Sequence, residues 1–236
     1  MAPALTCAQP APYSARLFQL AAFAVYAYTI YYSTLYVNVP PIQPNYGIFG
    51  KAKFLTQWNL CLCGVYFGLC AFLAVRPVRR LLEVRDFIFC SISLPSCIFV
   101  SAVFWGLYAI DRELIFPQRI EPHYPNWVNH CSHSLIVLTA LAESVLYSHR
   151  KPSRSAAIGA LLAWFTTYLI WVLYLGLVYE VWVYPVMQVL SPSGLTGFFV
   201  CCSIMVLILH LAADVIIELR STNGGDTSLR GTKKSA

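Results

Sequence analysis

The chain has 236 residues, of which 58% are hydrophobic and only 11% are charged, and its formal net charge is +6 at pH 7. A soluble domain carries about 25% charged residues and has no core that would bury so much apolar surface. An ordinary soluble domain is therefore excluded. Because the basic residues lie in short loops, they indicate membrane topology and not a nucleic-acid-binding surface.

Six apolar stretches reach the roughly 20 residues that a helix needs to cross a bilayer. They cover residues 17–37, 54–75, 87–110, 128–147, 156–179 and 195–217. We therefore expect an all-α, polytopic membrane bundle of six transmembrane helices. The predicted domains are a cytosolic N-terminal segment (1–16), the six-helix transmembrane domain (17–219) and a cytosolic tail (220–236), whose polar composition favours disorder.

Basic residues set the orientation of the predicted spans. With six spans, the N-terminal segment, the second and fourth loops and the tail all lie on one side of the membrane. The basic residues on that side are Arg16, Arg76, Arg79, Arg80, Arg85, Arg150, Lys151, Arg154, Arg220, Arg230, Lys233 and Lys234. The positive-inside rule makes this side the cytosol, so both termini are expected to be cytosolic.

The opposite, outer loops are interrupted by proline and aromatic residues. Three prolines follow the first span and three precede the fourth: Pro40, Pro41, Pro44, Pro117, Pro122 and Pro125. Proline forces the backbone into extended conformations there. Residues 181–190 are apolar but too few to span a bilayer. We expect these segments to form an outer cap over the bundle.

Thr56 and His133 are polar residues that the predicted topology brings to one depth. The second and fourth spans both enter from the outer side. Thr56 follows Lys53 by about one turn, and His133 lies about two turns beyond Pro125. If the two helices are neighbours, a hydroxyl meets an imidazole. That pair is the minimum for nucleophilic catalysis, because the imidazole accepts the hydroxyl proton during attack on an ester carbonyl.

The candidate residues also have structural alternatives. A threonine in a membrane helix commonly bonds its own i−4 carbonyl. His130 and His133 share a broad face, which suits a metal, an acid or a carbonyl. Asn59, one turn after the threonine, is a candidate oxyanion donor. Asp111 and Glu113 are expected in a solvated turn at the outer side, unless one of them orients a histidine.

The remaining polar and sulfur-containing residues favour structural roles. His210 and Asp214 have i,i+4 spacing and are expected to satisfy each other, and Glu143 is expected in a polar bundle core or at the inner interface. Most of the nine cysteines lie in apolar runs, where they act as small hydrophobic residues. No pair of C-x-x-C motifs is present, so a structural zinc site is not expected. The predicted site contains no metal, and no cofactor is predicted.

Seven sequence strings resemble one known family. They are K-F-L-T at 53–56, V-Y-F-G at 65–68, V-R-D at 84–86, A-V-F-W-G-L-Y-A-I-D-R-E-L-I-F-P at 102–117, W-V-N-H-C-S-H-S at 127–134, P-S-R at 152–154 and W-V-Y-P at 182–185. In order and spacing they resemble the family of the androgen-induced gene protein and the androgen-dependent TFPI-regulating protein. Residues 1–45 and the tail add little to this resemblance.

The resemblance implies a multipass membrane threonine hydrolase that cleaves fatty acid esters of hydroxy fatty acids. It implies that Thr56 is the nucleophile and His133 the catalytic histidine, with His130 adjacent and secondary. Ser134 departs from the family, which often has threonine there, and no third acid of a triad is recognisable. The expected partners are a lipid ester substrate and the bilayer; no nucleic acid is expected, and no protein partner is indicated.

Three alternative functions remain open. A transporter would need polar residues along a whole pathway, and a metal-dependent oxidase would need more than the five histidines present. A non-enzymatic membrane regulator with the same fold differs from a hydrolase only in an activity assay. The chain has neither a K-D-E-L ending nor a C-a-a-X ending, so the endoplasmic reticulum and the plasma membrane both remain possible locations.

Overall fold

The computed structural model describes residues 13–41, 46–47 and 49–232, and of residues 219–232 it describes only the backbone. Regular structure in these ranges is entirely helical. The main helices are α1 (Tyr13–Tyr36), α2 (Leu55–Val75), α3 (Arg79–Ile110), α4 (126–146), α5 (Arg154–Val178), α6 (Pro185–Val189) and α7 (Pro192–Thr232). Short 3₁₀ turns at Gly50–Lys53, Arg112–Leu114 and Gln118–His123 lie in the loops.

Four helices are long and apolar enough to cross a membrane, within the described part of the chain: α2, α3, α5 and the part of α7 at Pro192–Glu218. Large apolar side chains on them point outward, including Val65, Ile170 and Leu177, as lipid-facing residues do. The helical membrane class is thereby confirmed. Helix α1, rich in tyrosine, and α4, which carries histidine, asparagine and glutamate, occupy the first and fourth predicted spans but are not among these four.

The helix boundaries differ from the prediction at two places. Helix α3 begins at Arg79, eight residues before the predicted start at 87, because the polar side chains of its first turns find partners there: Arg85 and Asp86 are buried and form an ion pair of 2.7 Å. Helix α7 continues to Thr232, through most of the range expected to be a disordered tail, and extending an existing helix is easier than nucleating one. Residues 1–12, 233–236 and Pro44 lie outside the described residues.

Two glycines let α1 pack closely against α2. Gly64 and Gly68 are four residues apart and face α1. A Cβ at Gly64 would come to 2.9 Å from Ile30 Cδ1, and one at Gly68 would come to 3.0 Å from the ring of Phe23. This is the small-residue spacing that allows close contact between membrane helices.

Pro95 accounts for an irregular turn within α3. Phe89–Ser93 forms a π-helical turn, and the N–H of Leu94 bonds to the carbonyl of Phe89 five residues back. Proline has no N–H and its ring clashes with the carbonyl four residues earlier, so the wider turn relieves a conflict that a regular α-helix would have here.

The outer segments contact one another as the sequence predicts. The Tyr46 hydroxyl donates to the carbonyl of Val183 at 3.0 Å, and the N–H of Leu55 donates to the Tyr184 hydroxyl at 3.1 Å. The loop after the first helix and the 181–190 segment therefore cover the beginning of α2. They fix the position of its first turn.

Glu180 has a conformation that favours glycine. It is exposed, follows the C-terminus of α5 and has φ of 59°, in the left-handed region. We expect Glu180→Gly to stabilise the protein by about 1 kcal/mol, since glycine has no Cβ to clash there. Thermal unfolding in detergent should show a rise in Tm of roughly 2–4 °C. Glu180→Ala retains the Cβ and should not reproduce the gain, and a lower Tm for the glycine variant would contradict the prediction.

Candidate functional site

The hydroxyl of Thr56 meets the imidazole of His133 near the N-terminus of α2. Thr56 lies in the first turn of α2, and its Oγ1 is 3.2 Å from Nε2 of His133 on α4, although 77 positions separate the two residues in the chain. The expectation that these side chains meet is confirmed. The distance is within the range in which a base accepts the proton of an attacking hydroxyl.

His133 is held by an irregular turn of α4. Cys131–Leu135 forms a π-helical turn between Asn126–His130 and Ile136–Leu146, and such turns are common at functional sites. The Ser101 hydroxyl of α3 donates to the His133 carbonyl at 2.6 Å. The ring of Phe104 stacks on the imidazole, with centroids 3.5 Å apart and planes 14° from parallel. The backbone and the ring of His133 are therefore both fixed by α3.

Asn129 determines the tautomer of His133. Nδ1 of the imidazole lies 2.8 Å from Oδ1 of Asn129 and 3.0 Å from its backbone carbonyl oxygen. Two oxygen acceptors there require Nδ1 to carry the hydrogen, which leaves a lone pair on Nε2 toward Thr56. An amide oxygen and a backbone carbonyl thus orient this imidazole as a carboxylate orients the histidine of a Ser-His-Asp triad. The sequence contained a signal for this role, because Asn129 is one turn before His133 on the same helix face.

Tyr184 lies beside the Thr56 hydroxyl. Its oxygen accepts the N–H of Leu55 at 3.1 Å and is 3.2 Å from the hydroxyl of Tyr168, which also donates to the Lys53 carbonyl at 3.1 Å. The same tyrosine lines the cavities on both sides of Thr56. The N-terminus of α2, with its partial positive charge, therefore lies next to a half-buried phenol.

Two cavities meet at the Thr56–His133 pair. One has about 990 Å³ of empty space and lies between α3, α5 and α7. Its lining is almost wholly apolar and includes Phe99, Val103, Phe165, Leu169, Phe199 and Val206. The other has about 1280 Å³ and lies beneath the outer cap, where His133, Asn129, Lys51, Lys53 and Tyr124 line it. Thr56, Phe104, Ile115 and Tyr184 line both cavities, so a molecule occupying both passes the threonine.

Two lysines give the second cavity a positive charge. Lys53 is only 3% exposed, and its ammonium donates to the carbonyls of Tyr46 at 2.6 Å and Gly50 at 2.8 Å. The ammonium of Lys51 is shielded from solvent and has no hydrogen-bond partner among the described residues. Burial lowers the pKa of Lys53 to about 8 and also lowers the pKa of Lys51, which indicates that each charge lacks a compensating acid.

The secondary candidates lie away from the two cavities. Asn59 is fully buried and its amide donates to the sulfur of Cys97 at 3.6 Å. His130 is exposed and lies 3.1 Å from the Ser134 hydroxyl. Asp111 accepts the N–H of Glu113 at 2.9 Å, and Glu113 accepts the N–H of Gln118 at 2.8 Å. Neither acid orients His133; Asn129 occupies that position.

The other polar residues within the helices have partners away from Thr56 and His133. Glu143 accepts from Gln19 at 2.7 Å and from Tyr66 at 2.8 Å, which ties α4 to α1 and α2. Asp214 forms an ion pair with Lys151 at 3.5 Å instead of bonding His210, contrary to the expected pair. Among the described residues, no group of three histidine, cysteine or acidic side chains is arranged to hold a metal.

Comparison with known proteins gives one consistent family. The family model described as FAR-17a/AIG1-like protein matches residues 14–218. Androgen-induced gene 1 protein of Homo sapiens is 31% identical over 190 residues, which cover 75% of this chain and 79% of that protein. Androgen-dependent TFPI-regulating protein of Rattus norvegicus is 34% identical over 174 residues, which cover 71% of this chain and 76% of that protein.

The corresponding protein of Mesocricetus auratus is 32% identical over 174 residues, which cover 71% of this chain and 75% of that protein. The resemblance seen in the sequence strings is confirmed. These names designate no enzymatic reaction, and no solved structure matches the chain. The chemistry must therefore be argued from the geometry of Thr56 and His133.

Proposed function

The chain belongs to the FAR-17a/AIG1-like family, and from that membership and its site geometry we propose that it is a membrane-embedded hydrolase of fatty acid esters of hydroxy fatty acids. The observation that carries the proposal is the 3.2 Å contact between Thr56 Oγ1 and His133 Nε2, at the junction of two cavities. A hydroxyl paired with an oriented, neutral imidazole is suited to acyl transfer.

Acylation begins when Thr56 Oγ1 attacks the ester carbonyl carbon and its proton passes to His133 Nε2. The tetrahedral intermediate then collapses, the bond from the carbonyl carbon to the hydroxy fatty acid oxygen breaks, and Nε2 returns the proton to that oxygen. The products of this half are a free hydroxy fatty acid and an acyl ester on Thr56. The hydrogen bonds from Nδ1 to Asn129 stabilise the imidazolium that forms between the two transfers.

Deacylation repeats these steps with water. Nε2 accepts a proton from water as the water oxygen attacks the acyl ester, and the second tetrahedral intermediate releases the fatty acid as Thr56 recovers its proton. Tyr184 is the proposed donor to the oxyanion in both halves, because its phenol lies beside Thr56 and lines both cavities. The positive end of α2 favours the same negative charge.

The two cavities suit the two products of such an ester. The apolar cavity between α3, α5 and α7 has the lining that an acyl chain requires. The cavity beneath the outer cap, with its lysines and amides, suits the more polar limb of the substrate and the entry of water. An extended lipid ester in both cavities would place its carbonyl beside Thr56.

The proposed topology has six spans with both termini in the cytosol. Helix α1, with 24 residues, is about 36 Å long and thus long enough to cross the roughly 30 Å of bilayer hydrocarbon. Helix α4 packs against α3 and carries the catalytic histidine, which supports placing it in the membrane with the others. In this orientation Thr56 lies just inside the non-cytosolic leaflet, in the endoplasmic reticulum or the plasma membrane.

Purified full-length protein tests the proposal directly. Incubation with a palmitoyl ester of hydroxystearic acid should release palmitate and hydroxystearate, measured by mass spectrometry. Turnover that disappears with Thr56→Ala supports the threonine hydrolase. A wild-type protein that is folded but releases neither product would favour the non-enzymatic regulator.

Asn129→Ala is expected to lower kcat by roughly 10-fold, because orienting groups of this kind contribute about one to two orders of magnitude to activity. The loss of kcat should be nearer one order of magnitude than two, because the backbone carbonyl of residue 129 still accepts the hydrogen of His133 Nδ1. The pre-steady-state rate of product release measures the effect. Asn126→Ala, at the exposed start of the same helix, is the matched control. Equal rates for the two variants would contradict an orienting role for Asn129.

A further inference from the structure

The ammonium of Lys51 is shielded from solvent but has no hydrogen-bond or ion-pair partner among the described residues. It lines the cavity beneath the outer cap. Lys53, two residues later, directs its ammonium to the carbonyls of Tyr46 and Gly50 instead. A shielded ammonium without hydrogen bonds is costly, so the site is complementary to an anion.

Three acids of the loops have partners other than the two lysines. Asp111 and Glu113 accept backbone N–H groups of their own loop, and Glu121 forms an ion pair with Arg112 at 2.8 Å. Neither Lys51 nor Lys53 forms an ion pair with a carboxylate that the structure describes. The anion that suits this cavity therefore comes from a ligand.

We propose that the Lys51 ammonium binds the free carboxylate of the hydroxy fatty acid limb, so that the enzyme selects lipid esters that carry an acid. This rests on the proposed function. The cavity with the lysines and the apolar cavity meet at Thr56. A charged end held at Lys51 orients the substrate, because it assigns the acyl chain to the apolar cavity and the leaving hydroxy acid to the polar one.

The orientation has a chemical consequence. The bond that breaks joins the acyl carbonyl to the oxygen of the limb held near Lys51, so the hydroxy acid leaves and the simple acyl group stays on Thr56. Lys53 adds positive charge to the same cavity without giving up its contacts to Tyr46 and Gly50. A neutral ester of the same shape lacks the carboxylate and loses a charge-assisted hydrogen bond, the stronger class of hydrogen bond.

The test compares one branched lipid ester as the free acid and as its methyl ester. For the wild-type protein we expect kcat/KM to be at least about 10-fold higher for the free acid, given the strength of a hydrogen bond to a charged group. Lys51→Met should raise KM about 10-fold for the free acid and leave the methyl ester unchanged, while Lys51→Arg should retain the preference. Lys151→Met, which alters a lysine paired with Asp214, is the matched control.

A binding measurement separates failure of this inference from failure of the hydrolase proposal. Hydroxystearate and its methyl ester are titrated into the Thr56→Ala protein, with tryptophan fluorescence as the signal. Tighter binding of the acid that is lost with the additional Lys51→Met change supports the carboxylate site even if no hydrolysis occurs. Equal binding of acid and methyl ester, or equal kcat/KM for the two esters, overturns it. Absence of turnover with both esters contradicts only the hydrolase.

Discussion

Thr56→Ala is expected to abolish hydrolysis of the branched ester, with kcat at least about 10³-fold below that of the wild-type protein, because removing a nucleophile leaves only binding and oxyanion stabilisation. The variant removes the single oxygen that lies 3.2 Å from His133 Nε2. Its KM should change little, since the cavities that hold the two limbs of the substrate remain. Single-turnover assays measure the loss, and labelling with a fluorophosphonate probe should disappear in parallel.

Two further variants make this prediction specific. Thr56→Ser retains the hydroxyl and should keep measurable activity, with a rate reduced by the greater rotational freedom of serine. Thr167→Ala is the matched control, because Thr167 is exposed on α5 and only bonds the Ala163 carbonyl at 2.7 Å. Wild-type rates for Thr56→Ala would remove the basis of the hydrolase assignment.

The helices and the contact between Thr56 and His133 could be predicted from the sequence for simple reasons. Apolar runs of about 20 residues specify membrane helices by length alone. The depth of a residue was predicted by counting helical turns from the loops, and in the structure Thr56 and His133 each lie near the start of their helix. The start of α3 was harder to predict, because its first turns carry charged residues such as Arg85 that find partners only in the folded protein.

The supporting residues of the site depend on irregular backbone and tertiary contacts. Asn129 accepts a hydrogen bond from His133 in a helix whose next turn is π-helical. The hydrophobic pattern of the sequence does not predict a π-helical turn. Tyr184 reaches the N–H of Leu55 from 129 positions away in the chain. Asn59 lies about one turn further along α2 than Thr56, where its amide donates to Cys97 and lines neither cavity.

The two ends of α4 differ in their surroundings: one is buried among other helices and the other borders a cavity. Toward its C-terminus, Glu143 is completely buried and bonded to both α1 and α2. Near its N-terminus, His133 contacts α2 and α3 and faces an open cavity. The half of α4 that contains Glu143 is thus buried and bonded to its neighbours, and it supports the half in which His133 and Thr56 border a cavity. Well-packed support of this kind is what a preorganised site requires.

His133→Ala should reduce kcat as much as Thr56→Ala does, about 10³-fold or more, because the hydroxyl of Thr56 then has no base to accept its proton. The imidazole has both ring nitrogens engaged, Nε2 with Thr56 and Nδ1 with Asn129, so its replacement removes the proton acceptor and the group that protonates the leaving oxygen. Single-turnover rates of product release measure the effect. Circular dichroism establishes that the helices remain.

The double variant distinguishes a joint catalytic role from two independent structural ones. If Thr56 and His133 act as a unit, combining the alanine changes should cost no more than either alone, whereas independent contributions would multiply. His130→Ala is the matched control: it removes an exposed imidazole three residues away, which contacts the Ser134 hydroxyl and the Trp105 ring, and it should leave the rate near wild type. A large loss with His130→Ala and none with His133→Ala would move the catalytic base to the other histidine, and with it the whole placement of substrate between the two cavities.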